Sequence, residues 1–283
     1  MFTCFSKTPA LSDSGHIAPF SEDSDGTLLG EGVGVLVLKR LADAERDGDR
    51  IYAVIKGLGS SSDGNSGAIY APSAAGQSIA LERAYAEAEV SPETVGVIEA
   101  HGTGTKVGDV VEFEALKKVF KGVNKEQSCA LGTVKSQIGH TKASAGAASL
   151  CKASLSLFHK VILPTLNISR PNPKLGIEGT PFYLSTQTKP WVVKEGEKRR
   201  SGVSSFGFGG SNFHVVLEEY SPKRTTPAWD GSVQIWAFSS KEREYLIADI
   251  RSAAACAAYE SAYQASLSRR NFDAKAPHRA LLV

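Results

Sequence analysis

The sequence has no uninterrupted apolar run of the length that a membrane span needs. Its start, Met1-Phe2-Thr3-Cys4-Phe5-Ser6-Lys7, lacks the basic and apolar regions of a signal peptide. Cysteine is scarce: Cys4, Cys129, Cys151 and Cys256 have no paired spacing, and no Cys or His pair stands at metal-ligand spacing. Neither a disulfide framework nor a metal centre is expected, and reduced thiols in a cytoplasmic protein are. An excess of either charge is also missing. The formal net charge of +2 is spread along the chain, which removes the electrostatic case for nucleic acid or an anionic membrane. The densest basic run, Lys198-Arg199-Arg200, reads as a solvated turn before a strand rather than a phosphate site. Phosphate loops are absent as well. Gly102-Thr103-Gly104-Thr105-Lys106 lacks Walker spacing, and Gly30-Glu31-Gly32-Val33-Gly34 precedes a strand instead of opening a helix.

What remains is a globular sequence of 283 residues, 42% hydrophobic, with ample material for a packed core. Residues 1–27 are polar and turn-rich. Gly30 to Leu38 is rich in Val and Leu and reads as a strand buried on both faces. Leu41 to Asp47 is a short helix, Ile51 to Leu58 a second strand, and Gly59 to Gly67 a loop. Helical periodicity runs from Ser73 to Glu89, with Ile79, Leu81, Ala84, Tyr85 and Ala88 as the buried stripe. Ser91-Pro92 starts a helical turn, Val95 to Ala100 is a buried strand, and Asp109 caps a helix that runs to Phe120. Ser128 to Val134 is a strand and Thr141 to His159 a long helix. The alternation indicates an α/β domain. Three late strands, Phe182 to Thr186, Arg200 to Phe206 and Phe213 to Leu217, follow one another without long helices between them. The composition of Ser221 to Pro227 marks a linker. Beyond it, Gln234 to Phe238 is a strand, Lys241 to Ser268 is largely helical, and Arg279 to Val283 opens another strand.

Two histidines stand where an apolar run gives way to a glycine turn: His101 in His101-Gly102-Thr103-Gly104-Thr105 and His140 in Lys135-Ser136-Gln137-Ile138-Gly139-His140-Thr141. Alone, each would read as a buried structural imidazole. As a pair they suggest imidazoles presented together at strand ends, where a rigid scaffold places catalytic groups. His16, His159, His214 and His278 lack such context, and His159 complements a helix C-terminus.

With these two motifs and Ser204-Ser205-Phe206-Gly207-Phe208-Gly209-Gly210-Ser211-Asn212, the sequence resembles the β-ketoacyl synthases of the thiolase superfamily over roughly residues 1–220. The iterative synthases of polyunsaturated fatty acids and related polyketides look most similar. The resemblance implies a thiolase-like α/β fold, the C-terminal half of an αβαβα layered ketosynthase (1–220), followed by the truncated start of a small α/β linker domain between ketosynthase and acyltransferase (221–283). It also implies decarboxylative Claisen condensation of malonyl thioester with an acyl-enzyme.

His101 and His140 then match the histidines that stabilise the enolate, Lys135 a lysine in their network, and Glu112 a carboxylate close to it. Asn212 matches a supporting residue, Thr103 and Thr105 match contacts to phosphopantetheine, and Phe208 matches a gate. The bland alternatives are a helix-surface Glu112, an exposed Lys135, turn-satisfying threonines and a core Phe208. No cofactor is expected to bind tightly; the substrate arrives on the phosphopantetheine arm of acyl carrier protein. The family's Cys-Ser-Ser type nucleophile motif is not in this sequence, and Lys142 and Ser149 occupy the two positions where many ketosynthases carry a glutamate. The expectation is therefore a fragment that is inactive alone. Its partners would be the N-terminal ketosynthase half, an acyltransferase domain and, in full-length form, a second copy. The alternatives are a non-catalytic partner of the chain-length-factor kind and another thiolase-fold acyltransferase.

Overall fold

Alternation between inward and outward residues on a few short strands organises the larger part of the chain. The computed structural model describes residues 2–8, 10–64, 71–221 and 233–283, so most of the expected linker, 222–227, lies outside the described residues. The chain divides into two compact units, Met1–Ser221 and Pro222–Val283. The first contains α1 (Phe2–Phe5), α2 (Leu41–Asp47), β1 (Val54–Ser62), α3 (Ala74–Ala88), β2 (Val97–Glu99), α4 (Gly108–Val119), β3 (Cys129–Gly132), α5 (Lys135–Ile138) and α6 (Ala145–His159). It continues with β4 (Val161–Ile162), β5 (Phe182–Leu184), β6 (Lys189–Pro190), β7 (Arg200–Phe206) and β8 (Ser211–Glu218). Six strands form one sheet in the order β1-β8-β7-β2-β3-β5, in which only β8 runs antiparallel to its neighbours.

The pleat sends alternate residues to two cores. Ile98, Leu131, Phe182 and Val216 pack with Leu81, Tyr85, Phe113 and Leu116 of α3 and α4. Val97, Ala130, Val203 and Leu217 pack with Ala153 and Leu157 of α6. The sheet is therefore covered on both faces, as parallel strands require. The second unit pairs β9 (Trp236–Ser240) with β10 (His278–Leu282) antiparallel, and carries α7 (Arg243–Ala254) and α8 (Ala258–Arg270) over a core of Trp236, Phe238, Leu246 and Ala265.

Several expectations need correction. Residues 30–38 join no sheet, and Val33, Val35 and Val37 are 94%, 79% and 92% exposed. The glycines alternating with them explain this. Gly30 lies against the Ile138 carbonyl and Gly34 against Ala147, so close that a Cβ would meet them at 2.2 and 2.5 Å. One face of this segment is thus bare backbone laid on the chain around His140 and α6, and the valines point the other way. On α3, Ile79 is exposed, while the rest of the expected stripe is buried. Strand β1 begins three residues later than Ile51 and runs through Ser62, into the expected loop, whose last residues 65–67 lie outside the described residues. The late strands do not all pair in succession: β7 pairs with β8, but β5 sits at the far edge beside β3. The basic run is not a free solvated turn, although Lys198 is exposed. Lys198 and Arg200 pair with Glu218 at 2.8 Å and Arg199 with Glu219 at 2.7 Å, closing β7 onto β8.

Candidate active site

Strand β2 ends at Glu99, and the chain turns at once through His101 and the glycine loop into α4. Two buried carboxylates of α4 hold that turn. Glu112 accepts the backbone N–H of His101 and of Gly102, both at 2.8 Å. Asp109 accepts from Gly104 at 3.1 Å and from Phe20 at 2.7 Å. Asp109 is therefore not the helix cap expected from the sequence: it lies inside the first turn and ties the glycine loop to the N-terminal segment. Thr105 does the capping, since its Oγ1 accepts from the Gly108 N–H at 3.2 Å and exchanges a 2.9 Å hydrogen bond with Thr103. Gly104 has φ +73°, a backbone that L side chains rarely adopt, and a Cβ there would meet Ile17 and the Gly26 carbonyl.

His140 follows α5, at the end of the neighbouring strand's connection. Its backbone N–H donates to the Leu28 carbonyl at 2.7 Å, and its carbonyl accepts from Gly30 at 3.0 Å. The two imidazoles meet edge to face, with ring centroids 5.3 Å apart, and Phe206 lies 6.0 Å from the His101 ring. The Nδ1 of His140 accepts the backbone N–H of Lys142 at 3.0 Å, which leaves Nε2 to carry the proton of the neutral ring. The Nδ1 of His101 is buried without a hydrogen-bond partner among the described residues.

Lys135 is 2% exposed, not an exposed lysine, and Glu112 is 3% exposed, not a helix-surface glutamate. Their burial sets the electrostatics of the site. Desolvation, then the charges of Lys135 and Lys142, pushes His140 down to about 4. Desolvation, then Lys135 and His140, holds His101 well below the usual imidazole range. Both rings are thus neutral at pH 7, able to donate one hydrogen bond each without carrying charge. Burial also raises Glu112 to about 7 and Asp109 to about 6. It lowers Lys135, against the attraction of Glu99, Glu112 and Asp109.

The remaining expected residues lie on the last two strands. Asn212, in β8 opposite Phe206, is buried and donates from Nδ2 to Asp63 Oδ1 at 2.7 Å. Phe208 is 60% exposed, not a core aromatic, and lies 5.9 Å from the Phe5 ring. Of the thiols described, Cys129 opens β3, at the end of the parallel strands opposite the histidines, and burial pushes its thiol up. Cys151 and Cys256 are half-buried in α6 and beyond α7. The side chain of Cys4 lies outside the described residues. No cluster of metal ligands occurs among the described residues, and no helix there is long and apolar enough to cross a membrane.

Sequence reasoning missed Asp109 as a loop anchor, the segment 28–30 as the partner of His140, and Glu99. A signal for Glu99 was present: it is the one charged residue in the apolar strand Val95 to Ala100. Its side chain is 3% exposed and pairs with Lys152 at 2.8 Å.

Known proteins resemble this chain in sequence and in fold. Residues 52–169 match the profile of the β-ketoacyl synthase C-terminal domain, residues 171–283 that of the ketoacyl-synthetase C-terminal extension, and residues 1–44 that of the β-ketoacyl synthase N-terminal domain. The chain is 47% identical over 234 residues to a polyunsaturated fatty acid synthase of Thraustochytrium sp., covering 80% of this chain and 8% of that protein. It is 48% identical over 216 residues to polyketide synthase PksL of Bacillus subtilis, covering 76% of this chain and 5% of the relative. Among solved structures, the ketosynthase from module 6 of the bacillaene synthase of Bacillus subtilis superposes with a TM-score of 0.76 at 40% identity, over 93% of this chain and 47% of that one. The chain thus spans under a tenth of these curated relatives and about half of the solved ketosynthase.

Proposed function

The chain belongs to the β-ketoacyl synthase family, and on that premise we propose that it supplies the decarboxylating half of a condensing site in a fatty acid or polyketide synthase. The observation that carries the reading is the neutral, edge-to-face pair of His101 and His140. Decarboxylation breaks the bond between the malonyl carboxylate and Cα, releases carbon dioxide and moves the electron pair into the thioester enolate. Negative charge then develops on the thioester oxygen, where preorganised neutral donors stabilise it most effectively. The Nε2–H of His140 is one such donor, and the Nδ1 of His101 has no hydrogen-bond partner among the described residues. The enolate carbon next attacks the carbonyl of an acyl thioester on a cysteine, so that the new C–C bond forms as the acyl C–S bond breaks and the cysteine thiolate leaves; this chain does not supply that cysteine in the family's nucleophile motif.

Under the same reading the extender unit reaches the histidines on the phosphopantetheine arm of an acyl carrier protein. Thr103 and Thr105 present hydroxyls to its amides, and Phe208 gates the entry. Residues 1–220 complete a two-half ketosynthase that dimerises, and residues 221–283 begin the connection to an acyltransferase domain. The test is malonyl decarboxylation by the complete synthase. His101→Ala and His140→Ala are each expected to lower the rate about a hundred- to a thousandfold with unchanged thermal unfolding. A loss of fold without a selective loss of rate would show both rings to be structural.

A further inference from the structure

Both histidine turns rest on buried carboxylates. Glu112 and Asp109 hold the first. The second is held by Glu99, a residue of β2 that touches neither imidazole by hydrogen bond. Glu99 Oε1 accepts the backbone N–H of Val134 at 2.6 Å, just ahead of Lys135, and the Ser149 hydroxyl at 3.3 Å. Its other oxygen pairs with Lys152 of α6 at 2.8 Å. A cavity of about 10 Å³, lined in part by Glu99, Lys152, Ser156 and Ser185, lies against the pair and holds at most one water. Resting on the functional reading above, we propose that Glu99 is a positioning residue: it anchors the turn that carries Lys135 and His140, and supplies the negative charge that lets Lys135 stay an ammonium beside the two histidines.

Charge balance supports this. Around Lys135 stand Glu99 from β2, Asp109 and Glu112 from α4, Lys152 from α6, and the two imidazoles. Glu112 and Asp109 are shifted toward protonation by burial, Glu112 also by the charge of Asp109, and both spend their oxygens on backbone N–H groups of the glycine loop and Phe20. Glu99 heads the attractions that oppose the burial of Lys135. Without it, Lys135 would lose the first of the attractions that oppose its burial while the repulsion of Lys152 remained, which lowers it further. The field that keeps His101 and His140 neutral comes first from burial and next from Lys135, so Glu99 acts on the rings through that lysine. Ser149 reaches the same oxygen from α6. A carboxylate at either position 99 or position 149 would therefore serve Lys135, and a carboxylate at both would force two like charges together.

The experiment uses the complete synthase and reads two quantities: the pH profile of malonyl decarboxylation, and the histidine titrations followed by NMR with labelled imidazole. Glu99→Gln keeps the shape and loses the charge, whereas Glu99→Asp keeps the charge and loses the reach. For an electrostatic positioning role, Glu99→Gln should move the acid limb and the His140 titration up by about one pH unit or more. Glu99→Asp should move them less, and Ser149→Glu added to Glu99→Gln should bring both back toward the wild type. Unmoved titrations in Glu99→Gln, or an Asp variant that fares worse than the Gln variant, would overturn the proposal and leave Glu99 a structural ion pair. Should Glu99→Gln fail to fold, the double variant with Ser149→Glu still decides: folding with wild-type titrations supports the role, and folding with shifted ones refutes it. A wild-type enzyme without decarboxylation would sink the functional reading instead, while the histidine titrations would continue to test Glu99.

Discussion

The valine stripe of residues 33–37 should make this chain associate with itself. Side chains alternate along an extended segment, and here glycine takes the inward positions while Val33, Val35 and Val37 stand almost fully in solvent. Burying a valine stabilises by about 2 kcal/mol, within the usual range. Two copies that pair these segments bury six such side chains, about 12 kcal/mol in gross terms. Association costs roughly 7 kcal/mol in lost freedom, toward the lower end of published ranges. The remainder of about 5 kcal/mol corresponds to a dissociation constant on the order of 0.1 mM. Val35→Lys puts a charge in the middle of the stripe without touching the histidine site, and it should abolish the association. Sedimentation velocity over about two decades of concentration around 0.1 mM is the assay. A wild-type chain that stays monomeric throughout, or a Val35→Lys variant that associates equally well, would refute the reasoning.

Other consequences are open to direct measurement. Incubated with an acyl thioester, the 283-residue chain should show no stoichiometric adduct by intact mass, since Cys129 is buried with its thiol pushed up; an adduct on any cysteine contradicts this. Lys142 adds to the forces that lower His140, so Lys142→Glu should raise the His140 titration, and an unchanged one would mean its charge is spent on the Gly30 carbonyl that it contacts at 2.7 Å. His214 is buried between Ser204 and Tyr85 and held down at about 3. The unfolded chain therefore binds a proton that the folded one does not, and the stability this histidine contributes is lost as pH falls from about 6.5 toward that value. His214→Asn should flatten that part of the acid unfolding curve; an identical slope argues against the assignment. Thr105→Ala should cost about 1 kcal/mol through the lost cap on α4, and denaturant unfolding with no change in midpoint would count against that cap.

The local elements and the chemistry-bearing motifs are legible in the order of the amino acids alone. Helices α2, α3 and α6, strand β7 and the two histidine turns follow from periodicity and from where glycine interrupts it. Those signals act over a few residues, so they can be read without the fold. Which buried charges meet is set by the folded chain. Glu112, Asp109 and Glu99 come from two different elements, and each takes its role from backbone N–H groups 5 to 89 residues away. No periodicity encodes such contacts, because their partners are chosen by the crossover connections of the parallel sheet. The same holds for residues 30–38, whose composition reads as a buried strand. Its glycine face is filled by α6 and the turn before it, but whether its valine face is covered depends on what chain is there to pair with it, and that is a property of the assembled fold and not of the segment.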